Sequence, residues 1–292
     1  MAIQPTILVL GATGKVGAQI VRILAQSKDV KVIAGVRSPE KAQLLREQGI
    51  EIRPLDLDKQ DTLKPALEGV DRALLLTGYT VDMLKQSKAF LDTAKQTGVQ
   101  HIVHIGASSA PTNEVAHWGW HQYIEKYIES LGFSYTHLRP EAFMKNIVDF
   151  GWLNQQGVVT NYIGDTRWSW VDSDDLALVA AETLRRSEVH AGKIYPLGYD
   201  TATMPEVAEI LTEVIGKPYQ VENYSPEEFL EKMLKLGAEP AYINCVYTQL
   251  KLNIANQIPN ADTTFDNFEA ITGHKPTNWR EFVAKNREEL SY

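Results

Sequence analysis

The sequence predicts an α/β protein: a Rossmann-like, doubly wound parallel sheet followed by a smaller, mainly helical C-terminal substrate domain. Three observations carry this reading. Short apolar runs alternate with amphipathic segments through residue 150, a glycine turn (GATGKVG) closes the first run, and the alternation stops after Gly151. Apolar strands that each lead into a helical pattern belong to parallel sheets covered by helices on both faces.

Taken in order, TILVL (6–10) ends in glycine, and KVGAQIVRILAQS follows with apolar residues at helical spacing. The unit recurs as VKVIAGV with SPEKAQLLREQG, IEIRPLDL with KQDTLKPALEG, RALLLTG with VDMLKQSKAFLDTAKQTG, and HIVHIGA with HWGWHQYIEKY; FSYTHL closes the series. Gly49, Gly69, Gly98 and Gly132 stand where helices end, as left-handed caps do. Beyond Gly151, VVTNYIGDTRWSWV reads as a hairpin. DSDDLALVAAETLRRS, acidic at its start and basic at its end, reads as a helix that returns to the first domain. From KIYPLG to NWREFVAKNREEL the pattern is mostly helical with two short strands. The expected domains are therefore 1–152, dinucleotide-binding and joined by helix 173–187, and 153–292, a substrate lid, with the cleft between them as the default ligand site.

Composition narrows the partners. Lys and Arg number 29 against 37 Asp and Glu, a net charge of −8, which argues against a nucleic-acid backbone as ligand. MAIQPTILVLGATG runs directly into a strand without the basic and apolar regions of a signal peptide. No apolar run approaches the roughly 20 residues that span a bilayer. A lone cysteine, Cys245, has no partner for an internal disulfide and reads as structural. The expectation is a cytoplasmic protein that binds neither membrane nor nucleic acid.

GATGKVG places Gly11, Gly14 and Gly17 between the first strand and first helix, with Thr13, Lys15 and Val16 among them. Glycines let the backbone approach a phosphate closely, and the helix N-terminus offers N–H groups and the positive end of its dipole. The βαβ context makes this a dinucleotide site rather than a plain turn. The second strand selects the dinucleotide: it ends in Arg37, with Lys41 one turn on, where an NAD site carries an acidic residue. A guanidinium forms a bidentate pair with a 2′-phosphate, so NADP(H) is the expected cofactor. By position, Asp56 and Leu57 flank the adenine, Thr77 and Gly78 lie near the nicotinamide-side ribose, and Ala107 and Phe143 complete the cofactor contacts.

On GATGKVG with Arg37, LDLD (55–58), LLLTG (74–78), GVQHIVHIGASSA (98–110), YTHLRPEAFMKN (135–146) and ITGHKPTNWREF (271–282), the chain resembles the NmrA-like branch of atypical short-chain dehydrogenases/reductases from end to end. Its layout is similar to that of the triphenylmethane and NADPH-dependent quinone reductases. The resemblance implies an NAD(P)H-dependent reductase, a non-catalytic NADP(H)-sensing regulator that acts on a protein partner, or an isoflavone-reductase-like enzyme.

Typical short-chain reductases carry Tyr-x-x-x-Lys on the helix after the fifth strand, the tyrosine protonating the developing alkoxide. Counting back from YTHLRP, these slots fall on His117 and His121, and neither Tyr123 nor Tyr127 has a lysine four residues on. Three readings of HWGWHQYIEKY follow. His117, His121 and Glu125 at i, i+4 spacing can face one way as metal ligands, although no HExxH is present and the third ligand is stretched; no metal is expected. His121 can replace lysine as a donor to ribose or substrate, with Glu125 anchoring the helix. His121 can also be a buried polar residue and no more. Without tyrosine acid, the acceptors that suit the site are quinones, azo bonds and cationic dyes, whose reduced forms delocalise or quench charge. The expected activity is NADPH-dependent reduction of such conjugated small molecules, with His121, Ser108 and Ser109 as candidate catalytic groups. Pro140, Glu141, Phe143 and Asn146 are expected at the cleft, and Trp118, Trp120, Phe143, Trp152, Trp168 and Trp170 as stacking surfaces.

Overall fold

Residues 4–108 and 110–292 are described by the computed structural model. Two compact units emerge, one formed by residues up to Ala107 with Trp120–Arg139 and Leu176–Tyr195, the other by Ser108–Gly119, Pro140–Asp175 and Pro196–Tyr292.

In the first unit, strands alternate with helices: β1 (Thr6–Leu10), α1 (Lys15–Ala25), β2 (Lys31–Val36), α2 (Gln43–Glu47), β3 (Glu51–Pro54), α3 (Leu63–Leu67), β4 (Arg72–Leu75), α4 (Met83–Thr97), β5 (His101–Ile105), α5 (Ala116–Ser130) and β6 (Ser134–Pro140). The sheet runs β10-β6-β5-β4-β1-β2-β3, where β10 is Lys193–Leu197. β1 pairs in parallel with both β2 and β4, and β2 with β3, β4 with β5 and β5 with β6 are parallel as well. Their carboxyl ends therefore share one edge, and the order reverses between β1 and β4, where open sheets of this kind bind ligands. Lys193–Leu197, grouped with the later segment on sequence grounds, is the edge strand beside β6.

Local pattern explains these elements. Ile7, Leu8 and Val9 of β1 are fully buried, as a strand with helices on both faces requires. α1 buries Gly17, Ile20, Val21 and Leu24, a 0, 3, 4, 7 spacing that is one helical stripe. α4 ends on Gly98 with φ 87°, a conformation open to glycine, and Gly49, Gly69 and Gly132 also have positive φ, as predicted. From Leu176 on, α7 (Ser173–Arg185) belongs to this unit, where Arg72 donates to the carbonyls of Leu184 and Arg185 at 2.8 and 2.6 Å.

The second unit has two small sheets. β9 (Trp168–Val171) lies between β7 (Ala142–Phe143), parallel, and β11 (Asp200–Ala202), antiparallel. β8 (Val158–Asn161) pairs in parallel with β12 (Gln220–Asn223). The hairpin expected over VVTNYIGDTRWSWV is thus replaced: its two strands join different sheets, each with a partner far along the chain. Helices α9 (Met204–Ile215), α10 (Pro226–Lys235) and α13 (Trp279–Lys285) start on complete capping boxes, at Thr203/Glu206, Ser225/Glu228 and Asn278/Glu281. They and α11 (Pro240–Ile254) cover an aromatic core that includes Trp152, Trp168, Trp170, Phe229, Trp279 and Phe282. Trp170 is fully buried and donates to the Ala202 carbonyl, so Trp152 and Trp170 act as core, not as ligand platforms. Cys245 is buried, its thiol bonded to the Ala241 carbonyl one turn back, the structural role expected of it. Among the described residues no helix is long and apolar enough to cross a membrane.

Candidate cofactor and active site

The glycine turn sits at the carboxyl end of β1. Gly11 has φ 68°, and its carbonyl accepts from the Gly14 N–H at 2.8 Å. A β-carbon at Gly17 would lie 2.2 Å from that same carbonyl oxygen, so the first turn of α1 presses directly on the loop and tolerates no side chain there. Gly14 is the N-cap of α1, no side chain caps the helix, and its first turn holds no acidic residue. The N–H groups of Lys15, Val16 and Gly17 have no intrahelical acceptor by helix geometry, and the dipole adds positive potential. Exposed Thr13, Gly14 and Lys15 line the opening. This cradle fits a dinucleotide pyrophosphate.

The other predicted cofactor positions fall on the same edge of the sheet. Arg37 and Lys41 are exposed just beyond β2. Beyond β3, the Asp56 carboxylate accepts from the Asp58 N–H at 3.1 Å and pairs with Lys59, while Leu57 packs on the unit's core. Thr77 and Gly78 follow β4, and Ala107 follows β5. Phe143, in β7, belongs to the second unit.

Behind this edge lies a buried polar cluster that the sequence reading found only in part. His121 and Glu125 of α5 are 6 % and 1 % exposed, and His104 of β5 and His137 of β6 are fully buried. Glu125 takes two bonds from Arg139 of β6, Nε at 3.0 Å and Nη2 at 2.5 Å, which anchors the helix to the sheet as expected of it. His121 Nδ1 lies 3.2 Å from His104 Nε2. Burial holds His104 well below the ordinary imidazole range and draws His137 down to about 4 against the pull of Glu125 and Glu129, so both are neutral at pH 7. His117 does not share this cluster. Its ring stands edge-on to Tyr242 at 4.9 Å within the second unit.

The grouping with metal-ligand spacing among the described residues is instead His104, Glu125 and His137, with donor atoms mutually within 4.8 Å. Arg139 already balances the Glu125 charge through both carboxylate oxygens, so a divalent cation there would leave uncompensated positive charge in the interior. The clue to His104, His137 and Arg139 is present in sequence: HIVHI and SYTHLRP are buried strands that carry histidine, and in the second case arginine, a residue almost never fully buried unless paired.

The model of the NmrA-like family matches residues 4–285. The chain belongs to that family. Relatives of this NmrA-like protein include an NAD(P)H azoreductase from Xenophilus azovorans, 27 % identical over 95 % of this chain and 96 % of the relative, and quinone oxidoreductase 2 of Escherichia coli, 30 % identical over 79 % and 82 %. Among solved structures, triphenylmethane reductase of Citrobacter sp. complexed with NADP(H) superposes with a TM-score of 0.83 at 28 % identity, over 96 % of this chain and 99 % of that one. The transcriptional regulator NmrA in complex with NADP shares the fold, with a TM-score of 0.78 at 17 % identity.

The second unit of this NmrA-like protein holds a cavity of about 190 Å³, lined by Trp118, Glu141, Trp168, Asn253 and Phe265 among others. Of the four residues expected at a cleft after β6, Glu141 lines it; Pro140, Phe143 and Asn146 do not. Trp118 and Trp168 reach it as well, whereas Trp120 packs against the first unit's core. Ser108 is buried, and its hydroxyl accepts from the Ala110 N–H at 3.1 Å, closing a turn. Ser109 lies outside the described residues.

Proposed function

We propose that this NmrA-like chain is an NADPH-dependent oxidoreductase that passes hydride to quinone-like or other conjugated acceptors. The observation that carries the proposal is the glycine cradle, where Gly17 leaves no room for a β-carbon, with Arg37 at the end of the neighbouring strand. The relatives add support: proteins similar over most of this chain are named as an azoreductase, a quinone oxidoreductase and a triphenylmethane reductase.

When bound, NADPH supplies the hydride. The α1 N-terminus holds the pyrophosphate and the Arg37 fork takes the 2′-phosphate. His121, at the usual lysine slot, donates a hydrogen bond. Tyr123 is 74 % exposed, and the Tyr127 hydroxyl is bonded to Asp92, which supports a reaction that needs no tyrosine acid. Acceptors whose reduced forms spread their charge suit such a site.

The test is NADPH consumption, followed at its absorbance band, against quinones, azo and triarylmethane dyes, and enones. Turnover is expected with conjugated acceptors and absent with simple ketones; NADPH binding without turnover on the whole panel would refute the proposal. For the cofactor, Arg37→Asp replaces a bidentate partner with a repelling charge. It is expected to weaken NADPH about 100-fold, or about 2.7 kcal/mol, while NADH changes by less than about threefold. Fluorescence titration of both cofactors checks this, and equal losses would remove Arg37 from the 2′-phosphate site.

A further inference from the structure

We propose that His104 is a positioning residue that locks His121 in the tautomer with its proton on Nε2, making His121 an uncharged hydrogen-bond donor. The inference rests on the reading above that places His121 beside the reacting ligand.

His104 is completely buried and held neutral, so it carries one ring proton. Its Nε2 faces His121 Nδ1 at 3.2 Å, and its Nδ1 is buried without any hydrogen-bond partner. A proton on Nδ1 would be a buried donor with no acceptor within hydrogen-bond reach. An orphaned buried N–H is rarer and costlier than an orphaned lone pair. The proton of His104 therefore sits on Nε2 and is donated to His121 Nδ1. His121 Nδ1 must then be the acceptor, which leaves its own proton on Nε2.

Function follows from this tautomer. A neutral imidazole that presents N–H can polarise a carbonyl or steady a developing oxyanion without first collecting a proton from solvent. A charged His121 would carry a proton on Nδ1 and turn it toward His104 Nε2, which would force the His104 proton onto its partnerless Nδ1. This gives a physical role to a histidine pair in place of Tyr and Lys, and the expected rate is flat across pH 6 to 8 instead of bending at a histidine pKa.

The structural readout comes first and needs no turnover. In ¹⁵N spectra of the wild-type protein, His121 is expected as the Nε2–H tautomer; the Nδ1–H tautomer or an imidazolium at pH 7 would overturn the proposal. The kinetic readout uses two variants. His104→Gln keeps an amide donor for His121 and is expected to retain most of kcat and the flat pH profile. His104→Leu is expected to lower kcat about tenfold or more, to leave NADPH affinity within about twofold, and to bring a bend near pH 6.5. Wild-type kinetics in His104→Leu, or an equal loss in both variants, would contradict the positioning role. If the wild-type protein turns over no acceptor, the function proposal fails on its own while the spectra still judge the tautomer.

Discussion

Arg139→Met is expected to lower the unfolding free energy by about 3–5 kcal/mol, because it strands the Glu125 carboxylate in the interior. Glu125 is 1 % exposed, and the Arg139 guanidinium holds both of its oxygens directly. Methionine keeps much of the arginine stem's volume, so the loss reflects charge more than packing. The double variant Glu125→Leu/Arg139→Met removes both charges and is expected to recover most of that loss, since a buried pair contributes little over well-packed apolar residues. Urea unfolding of the two single variants and the double variant closes the cycle. A single variant within about 0.5 kcal/mol of wild type would mean that the carboxylate reaches water and that the cluster is not sealed.

Acid is expected to unfold the protein steeply below pH 6.5. His101, His117 and His137 are drawn down to about 4 by burial, and burial holds His104 well below the ordinary imidazole range. An unfolded histidine titrates near 6.5, so below that pH the unfolded chain binds protons that the folded one refuses. Each such histidine contributes stability that is fully present above 6.5 and withdrawn, by about 1.4 kcal/mol per pH unit, down to its folded pKa. Four together withdraw about 5.5 kcal/mol per unit. Asp175 runs the other way. Burial raises its carboxyl to about 6 although Thr277 donates to it through N–H and hydroxyl, so its ionised form is a burden at pH 7 that lifts as pH falls through 6. One carboxyl offsets about a quarter of the histidine slope and leaves a net loss. His137→Gln, which deletes one titrating ring, is expected to flatten the dependence of stability on pH between 6.5 and 5 by about 1.4 kcal/mol per unit. Unchanged stability from pH 7.5 to 5 in the wild type would show that these histidines exchange protons freely in the fold.

The parts of the fold legible in sequence were those set by local pattern. β1 and α1 could be read because burial of Ile7 to Val9 and of the Gly17, Ile20, Val21, Leu24 stripe obeys strand and helix periods directly. The positive φ of Gly98 was legible for the same reason: a helix must end there, and glycine tolerates the left-handed turn. The second unit was harder. Val158–Asn161 finds its partner at Gln220–Asn223, some sixty residues on, and the glycine and aspartate between its strand and the next imitate a hairpin turn. No local signal encodes such a pairing. At the candidate site, Glu125 was identified as an anchor, but its partner Arg139 was not. His104 and His137 are not legible as a site in sequence because a single polar residue inside an apolar run does not disturb the strand pattern, and only the third dimension brings β5, β6 and α5 to one cluster.

Hydride transfer from NADPH to a bound acceptor is decided by a single-turnover experiment. Protein loaded with one equivalent of NADPH is mixed in a stopped-flow cell with excess quinone, and the nicotinamide absorbance is followed. Complete decay of the NADPH signal is expected, with one quinone reduced per NADPH and a rate that saturates with quinone concentration. NADPH that stays bound and reduced while acceptors of every class are present would contradict it.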